Sequence, residues 1–248
     1  MADETSFDLR FRMFGIPVRV HPIFWISAIV LMWNPDAPQQ VISGVIACFA
    51  CVLVHELGHA VMFRRYGWHS NIVLYILGGY ATGGRLPTGR DIAVSMAGPI
   101  AGMSLLIPLV IVFRLLIHFS PGTLIAYPMI LIFLNQVAFF ALLVNLMNLV
   151  PCMPFDGGRV MQALVLHYRM GGPLRVLEIS IASSALVALW GLACHLKNRD
   201  VLPVGRLLAS LELPESLLFV YGIEGRMLAI LFGIFCVQQI VAYQNWRY

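Results

Sequence analysis

Apolar residues fall in long runs separated by short polar stretches, and runs near 20 residues predict helices that cross a membrane. Six crossings are expected, at about 22–33, 41–63, 92–113, 124–150, 174–195 and 227–243. The first is short for a full crossing and must borrow flanking residues or lie oblique. It starts at His21-Pro22 and ends in the turn Asn34-Pro35-Asp36. The second ends at Arg64-Arg65 and the fourth breaks at Pro151. Gly98, Pro99 and Gly102 in the third are small residues that permit close helix contact. Asn135, Gln136, Asn145 and Asn148 ride on the fourth, and Glu224 and Arg226 blur the start of the sixth. Residues 160–170 predict a surface helix.

Two stretches break the helical rhythm. Residues 16–20 alternate like a short interfacial strand. The stretch from Ile72 to Gly84 is β-branched and aromatic, then glycine-rich, which predicts an extended hairpin or a re-entrant loop. Backbone of that kind is tolerated at membrane depth where protein or a wet cavity covers it. The expected fold class is an all-α polytopic membrane protein with about six transmembrane helices. A short re-entrant or β-hairpin segment lies between spans two and three. One domain is expected over residues 1–248.

Composition agrees. The 248 residues are 60% apolar and 11% charged, against roughly a quarter charged in soluble domains, so much of the surface must face lipid. The net charge of +4 sits in loops; one lysine and no basic cluster interleaved with aromatics exclude a nucleic-acid footprint. Five scattered cysteines are no disulfide framework, and Cys48-x-x-Cys51 reads as core packing. The acidic start (Asp3, Glu4, Asp8) carries no sign of a cleavable signal peptide. Basic residues alternate between loops: Arg10, Arg12 and Arg19, then none, then Arg64, Arg65, Arg85 and Arg90, then none, then Arg159, Arg169 and Arg175. That alternation predicts a multi-pass protein of the cell (inner) membrane with a cytoplasmic N-terminus. The later loop with Lys197, Arg199 and Arg206 runs against it.

The candidate chemistry is His55-Glu56-Leu57-Gly58-His59, at the end of a charge-free run from Val41 to Val54. On a helix, His55 and His59 share a face, with Glu56 close beside it. This spacing lets two imidazoles chelate one zinc while the carboxylate reaches the attacking water. With 7 His in the chain, a shuffled sequence yields the pattern on the order of 0.005 times, so coincidence is a weak competitor. A catalytic zinc needs a third protein ligand and one open position. Asp156 stands out, in Pro151-Cys152-Met153-Pro154-Phe155-Asp156-Gly157-Gly158: the prolines unwind the chain and the glycines allow close backbone approach. Cys152, His21 and His69 are the rival ligands.

His55-Glu56-Leu57-Gly58-His59, followed by Asn148-x-x-Pro151-x-x-Pro154-x-Asp156-Gly157-Gly158, resembles the site-2 protease family of intramembrane zinc metalloproteases. Gly78-Gly79 and Ala97-Gly98-Pro99-Ile100-Ala101-Gly102 look like that family's intervening landmarks; Phe155 stands where the family usually has Leu. The resemblance covers roughly residues 16–160, with the helices at about 174–243 outside it, and no PDZ or CBS segment is expected. It implies one Zn2+ per chain held by His55, His59 and Asp156, with Glu56 as general base and Asn148 assisting the substrate backbone or oxyanion. The implied substrate is the transmembrane segment of a membrane-anchored protein, cleaved within the lipid bilayer. The alternatives are a polytopic metal transporter, which needs ligands strung along a path, and a non-catalytic metal-binding membrane protein, which need not keep Glu56.

Overall fold

The computed structural model describes residues 3–76, 78–84, 86–199, 201 and 225–247. Arg85, Arg206 and Glu224, used above in the loop and boundary readings, lie outside the described residues. The chain divides into two compact units: Met1–Arg85 with Ala97–Asn145, and Leu86–Met96 with Leu146–Tyr248.

In the first unit, β1 (Leu9–Met13), β2 (Ile16–Val20), β3 (Ile72–Tyr75) and β4 (Gly78–Ala81) form one sheet in that order. β1–β2 and β3–β4 are antiparallel hairpins, and β2 pairs with β3 in parallel. The expected strand at residues 16–20 is present, and its alternation is the reason it lies where it does. Ile16, Val18 and Val20 point inward and are buried, while Pro17 and Arg19 face outward. Outside, Asp8 bonds to Thr5 and pairs with Arg19 at 3.0 Å. The Thr5 hydroxyl and then the Arg19 guanidinium draw the Asp8 carboxyl down to about 2. The glycine-rich stretch is the β3–β4 hairpin, one of the two forms anticipated.

The inner face of the sheet joins α1 (Pro22–Leu31), α2 (Pro38–Arg65) and the later half of α6 (Pro128–Asn148) in one apolar core. Phe24, Cys48, Cys51, Leu74 and Phe140 sit at its centre, so the Cys48/Cys51 pair does pack as small hydrophobes. One polar knot interrupts this. Gln136 on α6, fully buried, accepts from the Ser43 hydroxyl (2.7 Å) and donates to the Gln40 carbonyl (2.8 Å), satisfying an amide that lipid or core would otherwise penalise.

Prolines set several helix ends. Pro22, Pro38 and Pro128 each open a helix, where the missing N–H costs nothing. The run expected as one span from 124 therefore divides into α5 (Pro121–Ala126) and α6. The third run becomes α3 (Thr88–Ser104) and α4 (Leu106–Phe119), because Pro108 has no N–H to offer the Ser104 carbonyl. α3 and α6 each run through the division between the units.

The second unit holds α7 (Asp156–His167), α8 (Gly172–Leu196) and the last helix, α9 (Gly225–Arg247). Met161 and Val165 of α7 pack with Val176 of α8, burying the inner side of the helix expected at 160–170. Gly191 and Gly225 bring α8 and α9 together: a Cβ at Gly191 would lie 2.8 Å from the Gly225 carbonyl oxygen.

Among the described residues, five helical stretches are long and apolar enough to cross a membrane: Pro38–Arg65, Thr88–Phe119, Pro128–Asn148, Gly172–Leu196 and Gly225–Trp246. The chain is a multi-pass membrane protein. The remaining expected crossing corresponds to α1, whose 10 residues reach only about half of the roughly 30 Å hydrocarbon layer.

Candidate metal centre

The His-Glu-His stretch sits in the last three turns of α2, with no proline after Pro38 to interrupt the helix. His55, Glu56 and His59 are 3%, 4% and 5% exposed. The two imidazoles stand edge to face, centroids 4.8 Å apart, and their Nε2 atoms face each other at 3.1 Å. Two nitrogens bound to one zinc at roughly 2.0–2.1 Å and near-tetrahedral angles are about 3.3 Å apart, so the pair as it stands fits two corners of a zinc site.

Glycines make the room. A Cβ at Gly58 would run into the Ala97 carbonyl, so only glycine lets residues 97–104 of α3 lie this close to α2. A Cβ at Gly98 would run into the His59 ring, and one at Gly102 into the Asn145 amide. The Gly-x-x-x-Gly spacing expected to serve helix contact thus also clears space for two polar side chains. A Cβ at Gly79 would lie 2.9 Å from Glu56 Cγ, so β4 passes directly along the carboxylate-bearing turn.

Asn145 was visible in the sequence only as one of several polar residues on its span. It is fully buried, and its Oδ1 lies 2.8 Å from His55 Nδ1. Its spacing of three from Asn148 puts the two residues on one helix face, the signal that could have singled it out. Asn148 is the last residue of α6 and is half-buried.

Asp156 belongs to the second unit, where it is 6% exposed and is the first residue of α7. The chain leading to it is pinned from several directions. The Ser183 hydroxyl donates to the Pro151 carbonyl (2.8 Å), and Gln239 Nε2 donates to the Met153 carbonyl (3.0 Å). The Met153 N–H donates to Ser180 Oγ (3.3 Å). Phe155 lies against Phe232 and Phe235 at 5.6 and 5.0 Å, so the ring replacing the family's usual Leu is anchored by α9. A Cβ at Gly157 would strike the Leu149 carbonyl, and one at Gly158 would lie 2.5 Å from Cys152 backbone atoms. The helices outside the family resemblance therefore hold the segment that presents this carboxylate. The sequence offered no signal for Ser180, Ser183 or Gln239, which are ordinary polar residues within spans until the loop meets them.

The rival ligands have other roles or positions. Cys152 is buried and directs its thiol at the Met153 carbonyl (3.2 Å), and burial pushes its pKa up, away from the thiolate a metal needs. His21 caps α1, its Nδ1 accepting from the Ile23 N–H at 3.1 Å, with its ring edge on Tyr75. His69 is exposed in the loop after α2.

Fold and site together define a class: a multi-pass membrane protein whose metalloprotease motif lies buried inside an apolar helix. No family model matches the chain. It is 28% identical over 158 residues to a zinc metalloprotease of Methanocaldococcus jannaschii, a match covering 62% of this chain and 44% of the relative. A Synechocystis protein assigned to the same class is 30% identical over 169 residues, covering 62% of this chain and 42% of that protein. The solved site-2 protease of Methanocaldococcus jannaschii aligns with a TM-score of 0.49 at 24% identity, covering 90% of this chain and 95% of that one. The chain spans less than half the length of the curated relatives it matches. The chain is thus similar to named zinc metalloproteases and carries the two paired motifs.

Proposed function

We propose that the chain is an intramembrane zinc metalloendopeptidase that hydrolyses transmembrane segments of membrane-anchored proteins. One observation carries the reading: His55 and His59 converge their Nε2 atoms to 3.1 Å inside an apolar helix, with Glu56 between them on the same turn. Polar groups withdrawn from both water and lipid are costly unless they serve a site. The relatives' names bring hydrolysis of peptides as the matching chemistry.

In this reading His55, His59 and Asp156 hold one zinc per chain, two imidazoles and a carboxylate being a donor set suited to it. All three side chains are buried. Bound zinc supplies Lewis acidity that brings the pKa of water toward neutrality. Glu56 takes the proton of the attacking water at its carboxylate and delivers it to the leaving amine. Asn148 donates its amide N–H to the substrate carbonyl. β4 is an outer strand of the sheet and runs past Glu56, which suits edge-on addition of an extended substrate strand. A helical substrate must unwind first, which favours segments with helix-breaking residues. The loop arginines argue for the cell membrane's cytoplasmic side as the location of the N-terminus.

The test is Glu56→Gln in detergent-solubilised protein, with a single-span membrane protein as substrate. Zinc content stays and the cleavage rate falls by about 10²–10⁴-fold, the usual contribution of a general base. Undiminished cleavage removes Glu56 from the mechanism.

A further inference from the structure

The His55 ring meets the side chain of a residue that neither paired motif contains. Asn145 is buried on α6, and its two amide atoms have separate, fixed tasks. Nδ2 lies 2.6 Å from the Ala141 carbonyl, which can only accept, so the nitrogen must be on that side. Oδ1 is then the atom that faces His55 Nδ1 at 2.8 Å, and an amide oxygen can only accept. The proton must therefore be on His55 Nδ1, which leaves the lone pair on Nε2, the atom turned toward His59. Gly102 completes the arrangement, since any side chain there would occupy the place of the Asn145 amide.

We propose that Asn145 is a positioning residue: it selects the Nδ1–H tautomer of His55 and locks the ring plane so that Nε2 is presented for metal binding. The proposal rests on the zinc reading above. In solution a neutral imidazole samples both tautomers; a fixed acceptor behind a ligand imidazole removes that freedom and raises its basicity. A neutral amide does so without placing a second carboxylate inside an apolar helix pair, where an unpaired charge is costly.

The test compares wild type with Asn145→Leu and Asn145→Asp. Leu keeps the volume and loses the acceptor. Asp keeps an acceptor oxygen and loses the donor to Ala141. Two readouts are taken on purified protein in detergent: zinc affinity by chelator competition, and the His55 tautomer in the metal-free protein. The tautomer comes from long-range nitrogen–proton spectra of isotope-labelled histidine, assigned by difference against His55→Gln. The expected result is a 10–100-fold loss of zinc affinity in Asn145→Leu, the usual scale for such outer partners, with largely restored affinity in Asn145→Asp. Metal-free wild type shows His55 as Nδ1–H, and Asn145→Leu shifts it toward Nε2–H. A role confined to helix packing gives the opposite ranking, Leu tolerated and Asp disruptive, and overturns the proposal. So does a His55 tautomer that is the same in wild type and Asn145→Leu. Failure of wild type to bind zinc, with the Nδ1–H tautomer intact, strikes the metal reading instead.

Discussion

The sharpest consequence of the geometry concerns Gly98, one atom away from a proposed ligand. A Cβ built there lies 2.8 Å from His59 Cδ2 and 2.5 Å from Cε1, and closer still to Nε2. Carbon atoms at rest sit roughly 3.5–4.0 Å apart, so Gly98→Ala forces the ring to retreat by about 1 Å. Overpacking of this kind costs about 1–3 kcal/mol, while alanine in place of glycine in a helix returns about 1 kcal/mol. The net change in stability is therefore small, about 0–2 kcal/mol. The change in metal binding is large, because the atom displaced is Nε2 itself. Loss of at least about 100-fold in zinc affinity is expected, the upper end of what merely losing an outer partner does. Gly89→Ala is the control, on the same helix with nothing within 4 Å of its Cβ, and it should bind zinc as wild type does. The assay is chelator competition on both variants, with thermal melts to show that each is folded. A folded Gly98→Ala with undiminished zinc affinity would refute the assignment of His59 Nε2 as a ligand.

Two further outcomes follow from other parts of the molecule. Asp156→Ala should purify with markedly less zinc than wild type by elemental analysis, and an unchanged stoichiometry would mean that the third ligand lies elsewhere. Asp8 has its folded-state pKa lowered to about 2 from 3.8, so its contribution to stability is present above the unfolded value and is lost as pH falls through the folded one. Asp8→Asn should accordingly lower the melting temperature near neutral pH, and the gap from wild type should close as pH approaches 2. A gap that persists in acid would show that the Thr5 and Arg19 contacts act through something other than the ionised carboxylate.

What the sequence determined by itself was everything carried by local spacing. Run length marks the apolar helices, because a lipid layer demands a fixed number of residues per crossing. Alternation at Ile16, Val18 and Val20 marks a strand, because pleating sends successive side chains to opposite faces. His55 and His59 share a helix face for the equally local reason that four residues nearly complete a turn. Pro151 likewise announces a helix end, whereas the Ser104–Leu106 break and the late start at Pro128 were hidden within runs of uniform hydropathy.

Tertiary structure alone decided which distant groups meet the proposed ligands or the segments that carry them. Asn145 looks like Asn135 on the same apolar run, yet only packing brings its oxygen to His55. Gly98 and Gly102 read as generic small residues until their missing side chains are seen to be the space that His59 and Asn145 fill. Ser183 and Gln239 became anchors of the Asp156 loop because α8 and α9 lie beside residues 151 and 153. The physical reason is the same each time. A periodic pattern records which way a side chain faces, whereas a hydrogen bond or a steric limit depends on what the fold places opposite it, tens of residues away.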